Sequence, residues 1–213
     1  MAAQHGTAWA AGTVKPMAAV AYDEATALVV VDVQNDFAHP DGSLSVAGAE
    51  AVLPAVNEEI AAARAAGAPV VYTQDWHPPR TPHFVTDGGP WPVHCVAGTW
   101  GAAFHEELVV AGPSVHKGTG GEDGYSGFSM RDTTTDDEHS TGLHELLADR
   151  DVSRVVIVGL ALDYCVRETA LDAVRLGYAD VVVPRATTAA VEVEPGDGAR
   201  AEAAMAAAGV TLV

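Results

Sequence analysis

The chain has 213 residues, 48% of them hydrophobic, which suffices for one domain with a buried core and is too apolar for a disordered chain. With 29 acidic against 11 basic side chains the formal charge is −18, which opposes nonspecific attraction to nucleic acid or anionic lipid. The two cysteines, Cys95 and Cys165, imply no disulfide framework.

Residues 1–25 are Ala-rich but interrupted by Lys15 and Pro16, without the basic start and sustained apolar run of a secretory signal. They read as a flexible N-terminal extension. No segment has the ~18 uninterrupted apolar residues of a membrane span, so a cytoplasmic protein with no membrane or nucleic-acid partner is expected. The run 27–33 (ALVVVDV) is continuously apolar and β-branched, as in a strand buried on both faces. A helix over 48–67 follows, with Val52, Val56, Ile60 and Ala63 at helical spacing and Gly67 as its stop. The order continues with a strand at 69–73, a long loop, a short helix near 101–109 and a strand at 114–117. The Gly-, Ser-, Thr- and Asp-rich segment 118–139 reads as a surface loop. A helix at 141–150, strand at 154–159, helix at 164–177, strand at 179–184, helix at 196–208 and strand at 210–213 close the chain. This alternation predicts an α/β fold over 26–213: a single domain with a roughly six-stranded, mostly parallel sheet covered by helices on both faces.

Ligands of open α/β sheets bind beyond the carboxyl ends of the strands. Asp32 falls at the end of the first strand, Asp75 and His77 just past the second, Lys117 at the end of the third, and GLALDYC (159–165) after the fourth. Singly, Asp32 also reads as a capping acid, Lys117 as a solvated cation and Cys165 as a small buried hydrophobe. Together they make an acid–lysine–thiol set, in which a helix start and an ammonium would stabilise a thiolate and Asp32 would take its proton. The stretch QDWHPPRTPHF (74–84) reads either as a proline-stiffened polar loop or as part of a metal clamp. Asp75 and His77 project to one side of an extended chain, and His83 and His94 can fold back to complete an N/O donor set suited to Zn²⁺, Fe²⁺ or Mn²⁺. The remaining histidines, at 5, 39, 105, 116, 139 and 144, are expected at the surface, Cys95 as a packed thiol and Asp36 as a loop brace.

VVVDVQNDF, the D-x-H…H loop, WPVHC, HKG, YSGF and GLALDYCVRETALDA resemble the nicotinamidase/pyrazinamidase branch of the isochorismatase-like cysteine hydrolases, over residues 27–213. The resemblance implies an amidohydrolase that converts nicotinamide, and pyrazinamide as well, through a thioester on Cys165, with a place in NAD salvage. It assigns Cys165 as nucleophile, Asp32 as general base and then acid, and Lys117 as the third catalytic member. It implies an oxyanion hole from the N–H groups of Ala161 and Cys165, a cis Leu160–Ala161 bond, and a substrate pocket of Phe37, Trp91, Tyr125, Leu160 and Ala161. It makes Asp75, His77, His83 and His94 the ligands of one divalent metal, zinc first, with iron or manganese as alternatives. Leu162, where a small polar residue is expected, and the long acidic 128–141 loop depart from the pattern. A cysteine hydrolase for another small amide and a silent metal-binding relative are the competing readings. A homo-oligomer is left open.

Overall fold

A computed structural model of the chain describes residues 20–132 and 135–213. Most of the extension expected over 1–25 lies outside these residues, but Val20 and Tyr22 pack against the core and the Tyr22 hydroxyl donates to Glu59 at 2.6 Å. Residues 20–25 are therefore docked on the domain.

The first apolar run forms β1 (Thr26–Val31), buried at every position, as expected for a strand with helices above and below it. After a single helical turn, α1 (Asn35–Ala38), come α2 (Ala49–Ala65) and β2 (Val70–Asp75). β3 (Ser114–Lys117) follows the long loop, then the antiparallel pair β4 (Ser129–Arg131) and β5 (Glu138–Ser140), α3 (Leu143–Ala148) and β6 (Arg154–Leu160). A π-helical turn, Leu162–Val166, leads into α4 (Arg167–Arg175), and β7 (Asp180–Val183), β8 (Thr188–Ala189), α5 (Asp197–Ala208) and β9 (Thr211–Leu212) finish the fold. The main sheet runs β3-β2-β1-β6-β7-β9, with β8 paired to the end of β6, and all its pairings are parallel.

Alternate side chains of the central strands feed two cores. Leu28, Val30, Val156 and Val158 pack with Leu53, Val56 and Ile60 of α2, while Val29, Val31 and Ile157 pack with α3, α4 and α5. Burying each such side chain is worth roughly 1.5–3 kcal/mol. No helix among the described residues is long and apolar enough to cross a membrane.

Two local expectations fail. Residues 101–109 form turns: the Ala102 carbonyl accepts the amides of both Gln34 and Gln74 at 2.9 Å, and Phe104 bridges to Gln34, so long-range partners take the groups a helix would use. The supposed loop 118–139 contains one strand and the start of another of the β4–β5 pair.

The topology also positions the site. The order reverses at β1, which has β2 on one side and β6 on the other, and such a switch point opens a crevice at the carboxyl ends. Register pairs Val31 with Gly159 and Asp75 with Lys117. Gly159 has φ of 108°, and a Cβ there would lie 2.1 Å from the Val31 carbonyl oxygen, so only glycine allows β6 to approach β1 where the reactive residues emerge.

Candidate active site

Asp32 follows β1 directly, has left-handed backbone (φ 48°) and is fully buried. Thr73 donates its hydroxyl to Asp32 Oδ1 at 2.7 Å. Lys117, at the end of β3 and also fully buried, brings Nζ to 2.7 Å from Asp32 Oδ2 and 3.4 Å from Cys165 Sγ, and donates to the Gly124 carbonyl at 2.5 Å and to Asp75 Oδ1. The solvated reading of Lys117 is thereby excluded. Cys165 sits inside the π-helical turn, 7% exposed, where Thr169 donates to its carbonyl at 2.6 Å. The Leu160–Ala161 peptide just before the turn is cis.

Burial pushes the Asp32 carboxyl above its ordinary range even though Lys117 opposes it, which leaves it with affinity for a proton. Burial alone would lower the Lys117 pKa, but the facing Asp32 and Asp75 hold it well above its ordinary value. The Cys165 thiol is pushed well above its usual value, first by burial and then by the two carboxylates, with only Lys117 opposing. Burial and the facing carboxylates thus oppose the thiolate that Lys117 favours: Cys165 sits one turn inside the helical segment and is desolvated, and Asp32 stands in the same cluster as a base for its proton.

Asp75 links this cluster to the histidines. Its Oδ1 faces Lys117, while Oδ2 lies 3.7 Å from both His77 Nε2 and His94 Nε2. His77, His83 and His94 offer ring nitrogens within 4.8 Å of one another. Backbone pairing explains the convergence: His77 donates its N–H to the Cys95 carbonyl at 3.0 Å, and Trp91 donates to the His83 carbonyl at 3.3 Å, folding the 83–96 loop back on β2. These residues suit a divalent metal ion. Both ring nitrogens of the buried His77 are without hydrogen-bond partners, and the His94 Nδ1–Pro92 carbonyl contact of 2.7 Å leaves Nε2 as the donor atom. Burial lowers the His83 pKa to about 4, keeping that ring neutral and able to ligate. Behind the loop, Asp36 accepts N–H bonds from Cys95 at 2.7 Å and Ser43 at 3.0 Å, so the expected brace holds the residue next to His94.

A small cavity opens where the two clusters meet, walled by Phe37, Leu44, Trp91, Tyr125, Ala161, Tyr164 and Val191, with Asp75, His83, His94 and Cys165 at its polar end. A small apolar chamber with a few convergent polar groups has the form of a site for a flat organic ligand. The Trp91 indole N–H donates to the Tyr125 hydroxyl at 2.8 Å, and its ring meets Tyr164 edge-on at 4.9 Å.

Residues 26–212 match the family described as the isochorismatase domain. The chain belongs to the isochorismatase family. It is 42% identical over 166 residues to the nicotinamidase/pyrazinamidase of Mycobacterium tuberculosis, covering 74% of this chain and 83% of that protein. The structure of a pyrazinamidase of Pyrococcus horikoshii in complex with zinc superimposes with a TM-score of 0.79 at 38% identity, covering 89% of this chain and 98% of that one. PnC1 from L. infantum, in complex with nicotinate, gives a TM-score of 0.80 at 38% identity over 91% of this chain and 95% of its own.

In this isochorismatase-family chain the structure gathers Asp32, Lys117 and Cys165 in one cluster and Asp75, His77, His83 and His94 in the next. Phe37, Trp91, Tyr125 and Ala161 line the cavity between them, but Leu160 does not. Leu160 is 1% exposed and packs in the α2-side core. His105, expected at the surface, is 5% exposed and accepts the Glu107 N–H at Nδ1. Leu44, Tyr164 and Val191 were missed. Tyr164 is adjacent to the thiol and could have been suspected, whereas Leu44 and Val191 arrive on loops with no local signal.

Proposed function

We propose that this protein is a metal-dependent cysteine amidohydrolase that converts nicotinamide to nicotinate and ammonia, and pyrazinamide to pyrazinoate. The observation that carries the reading is the placement of a buried Asp–Lys–Cys cluster and a three-histidine, one-aspartate donor set at one end of the same small apolar cavity. The names of the relatives support the substrate class.

The Cys165 Sγ–H proton passes to the Asp32 carboxylate as sulfur attacks the carboxamide carbon. Lys117 compensates the negative charge shared by Asp32 and sulfur, and the N–H groups of Ala161 and Cys165 stabilise the oxyanion. The C–N bond then breaks, Asp32 returns its proton to nitrogen, and ammonia leaves a thioester on Cys165. Water gives a proton to Asp32 and attacks the thioester carbon; the C–S bond breaks and the thiol recovers that proton from Asp32. The acid product departs as carboxylate, losing its own proton to solvent or the released ammonia. A divalent ion held by Asp75, His77, His83 and His94, zinc in the first instance and iron or manganese otherwise, would supply Lewis-acid binding of a ring nitrogen and so orient the carboxamide. Phe37, Trp91 and Tyr125 enclose the ring and exclude water.

Purified protein incubated with nicotinamide should release nicotinate and ammonia in equal amounts, with bound metal measured on the same sample. Loss of the reaction in Cys165→Ala, with metal content retained, is the expected control. Absence of turnover by the metal-loaded parent protein would overturn the reading.

A further inference from the structure

Val191 forms one wall of the cavity and stands on the segment 190–197, which carries no catalytic or metal-holding residue. Two carboxylates fasten this segment. Asp163, 1% exposed and lying in the same π-helical turn as Cys165, accepts N–H bonds from Val191 and Glu192, both at 2.9 Å. Glu192 has left-handed backbone (φ 56°), and its own carboxylate accepts the N–H groups of Gly196 at 2.6 Å and Gly198 at 3.0 Å. Hydrogen bonds to an ionised carboxylate are the strong kind, and four of them converge on one short loop. Val191 itself is half-buried, with its side chain against the edge of the α2-side core, while its backbone is held through the Asp163 carboxylate. The turn that presents the thiol therefore also fixes a wall of the chamber in front of it.

We propose that Asp163, backed by Glu192, is a positioning residue for substrate selection: by holding the Val191 backbone it sets the size of the ring chamber and excludes carboxamides alkylated on the Val191 side. This rests on the amidohydrolase reading for the identity of the substrate, though not for the position of the wall. An apolar pocket discriminates by about tenfold or more per methylene-sized change, so displacement of one valine is enough to be read.

The test measures Cys165 labelling in the full-length, metal-loaded protein with iodoacetamide and with the bulkier N-phenyl iodoacetamide, followed by adduct mass. Its companion is the ratio of kcat/KM for ring-methylated nicotinamides to that for nicotinamide. Val191→Ala should raise both bulky-to-small ratios about tenfold for at least one methyl position. Asp163→Asn, which turns one acceptor into a donor facing an N–H, should raise them in the same direction, and the double variant should exceed Val191→Ala little. Glu192→Gln, at an exposed position and the fallback should Asp163→Asn not fold, should give a smaller rise of the same sign. Unchanged ratios in Val191→Ala, or in both carboxylate variants, would overturn the proposal, as would an equal loss for every substrate. If the labelling ratios move while the parent protein hydrolyses no nicotinamide, the wall stands and the substrate reading falls.

Discussion

Lys117→Met removes one ammonium that is shared between two buried carboxylates. Methionine keeps most of the side-chain volume, so the loss is chiefly electrostatic. In the native protein Nζ is 2.7 Å from Asp32 Oδ2, contacts Asp75 Oδ1 and donates to the Gly124 carbonyl, all away from solvent. Removing one partner of a buried ion pair costs about 3–5 kcal/mol, because the remaining charge is left uncompensated. For a chain of this size each kcal/mol shifts Tm by roughly 2–4 °C, so a fall of roughly 6–20 °C is expected at pH 7.5. The pH dependence separates charge from packing. Without the ammonium, burial and mutual repulsion raise the folded-state pKa of both carboxylates above their unfolded values, so the variant loses stability as pH rises through the acid range. The Tm gap to the parent should therefore widen from pH 5 to pH 8, and chelation should widen it further, since a bound cation is the other neutralising charge beside Asp75. Thermal melts of parent and variant across that range, with and without chelator, measure this. A gap that is the same at every pH would show that the cost is packing and that the charge argument is wrong.

Other consequences are equally direct. Cys165→Ala should lower turnover by orders of magnitude, and Asp32→Asn added to it should make it scarcely worse, since groups that act as a unit are strongly non-additive; fully multiplicative losses in steady-state assays would separate them. Chelation should damage nicotinamide turnover severely but change the slow turnover of benzamide, which lacks the ring nitrogen, very little; equal losses for both would remove the orienting role of the metal. Gly118→Ala should reduce bound metal, because a Cβ there would lie 2.5 Å from His77 Cε1, and full metal stoichiometry by elemental analysis would contradict this.

Much of the fold is legible because buried parallel strands leave continuous apolar runs: 27–33 and 154–159 become β1 and β6 almost residue for residue. The reactive residues are legible because they follow such runs, as Asp32 follows β1 and Lys117 ends β3. What sequence alone determined was thus the succession of the main parallel strands along the chain and which reactive side chains stand at their ends. Tertiary structure decided the rest. Apolar spacing over 101–109 imitates a helix, but Gln34 and Gln74, both distant in sequence, take the Ala102 carbonyl. Cys165 has a neighbouring ammonium, as the sequence suggested, yet burial and two carboxylates push the thiol pKa up against it. Leu160 and Ala161 are neighbours in the chain and share the α2-side core, but only Ala161 also lines the cavity. Val191 lines the cavity on a loop whose N–H is accepted by Asp163, 28 residues earlier. Periodicity records what a segment buries, whereas desolvation and hydrogen bonds between distant segments depend on what folds against it, and no local pattern carries that information.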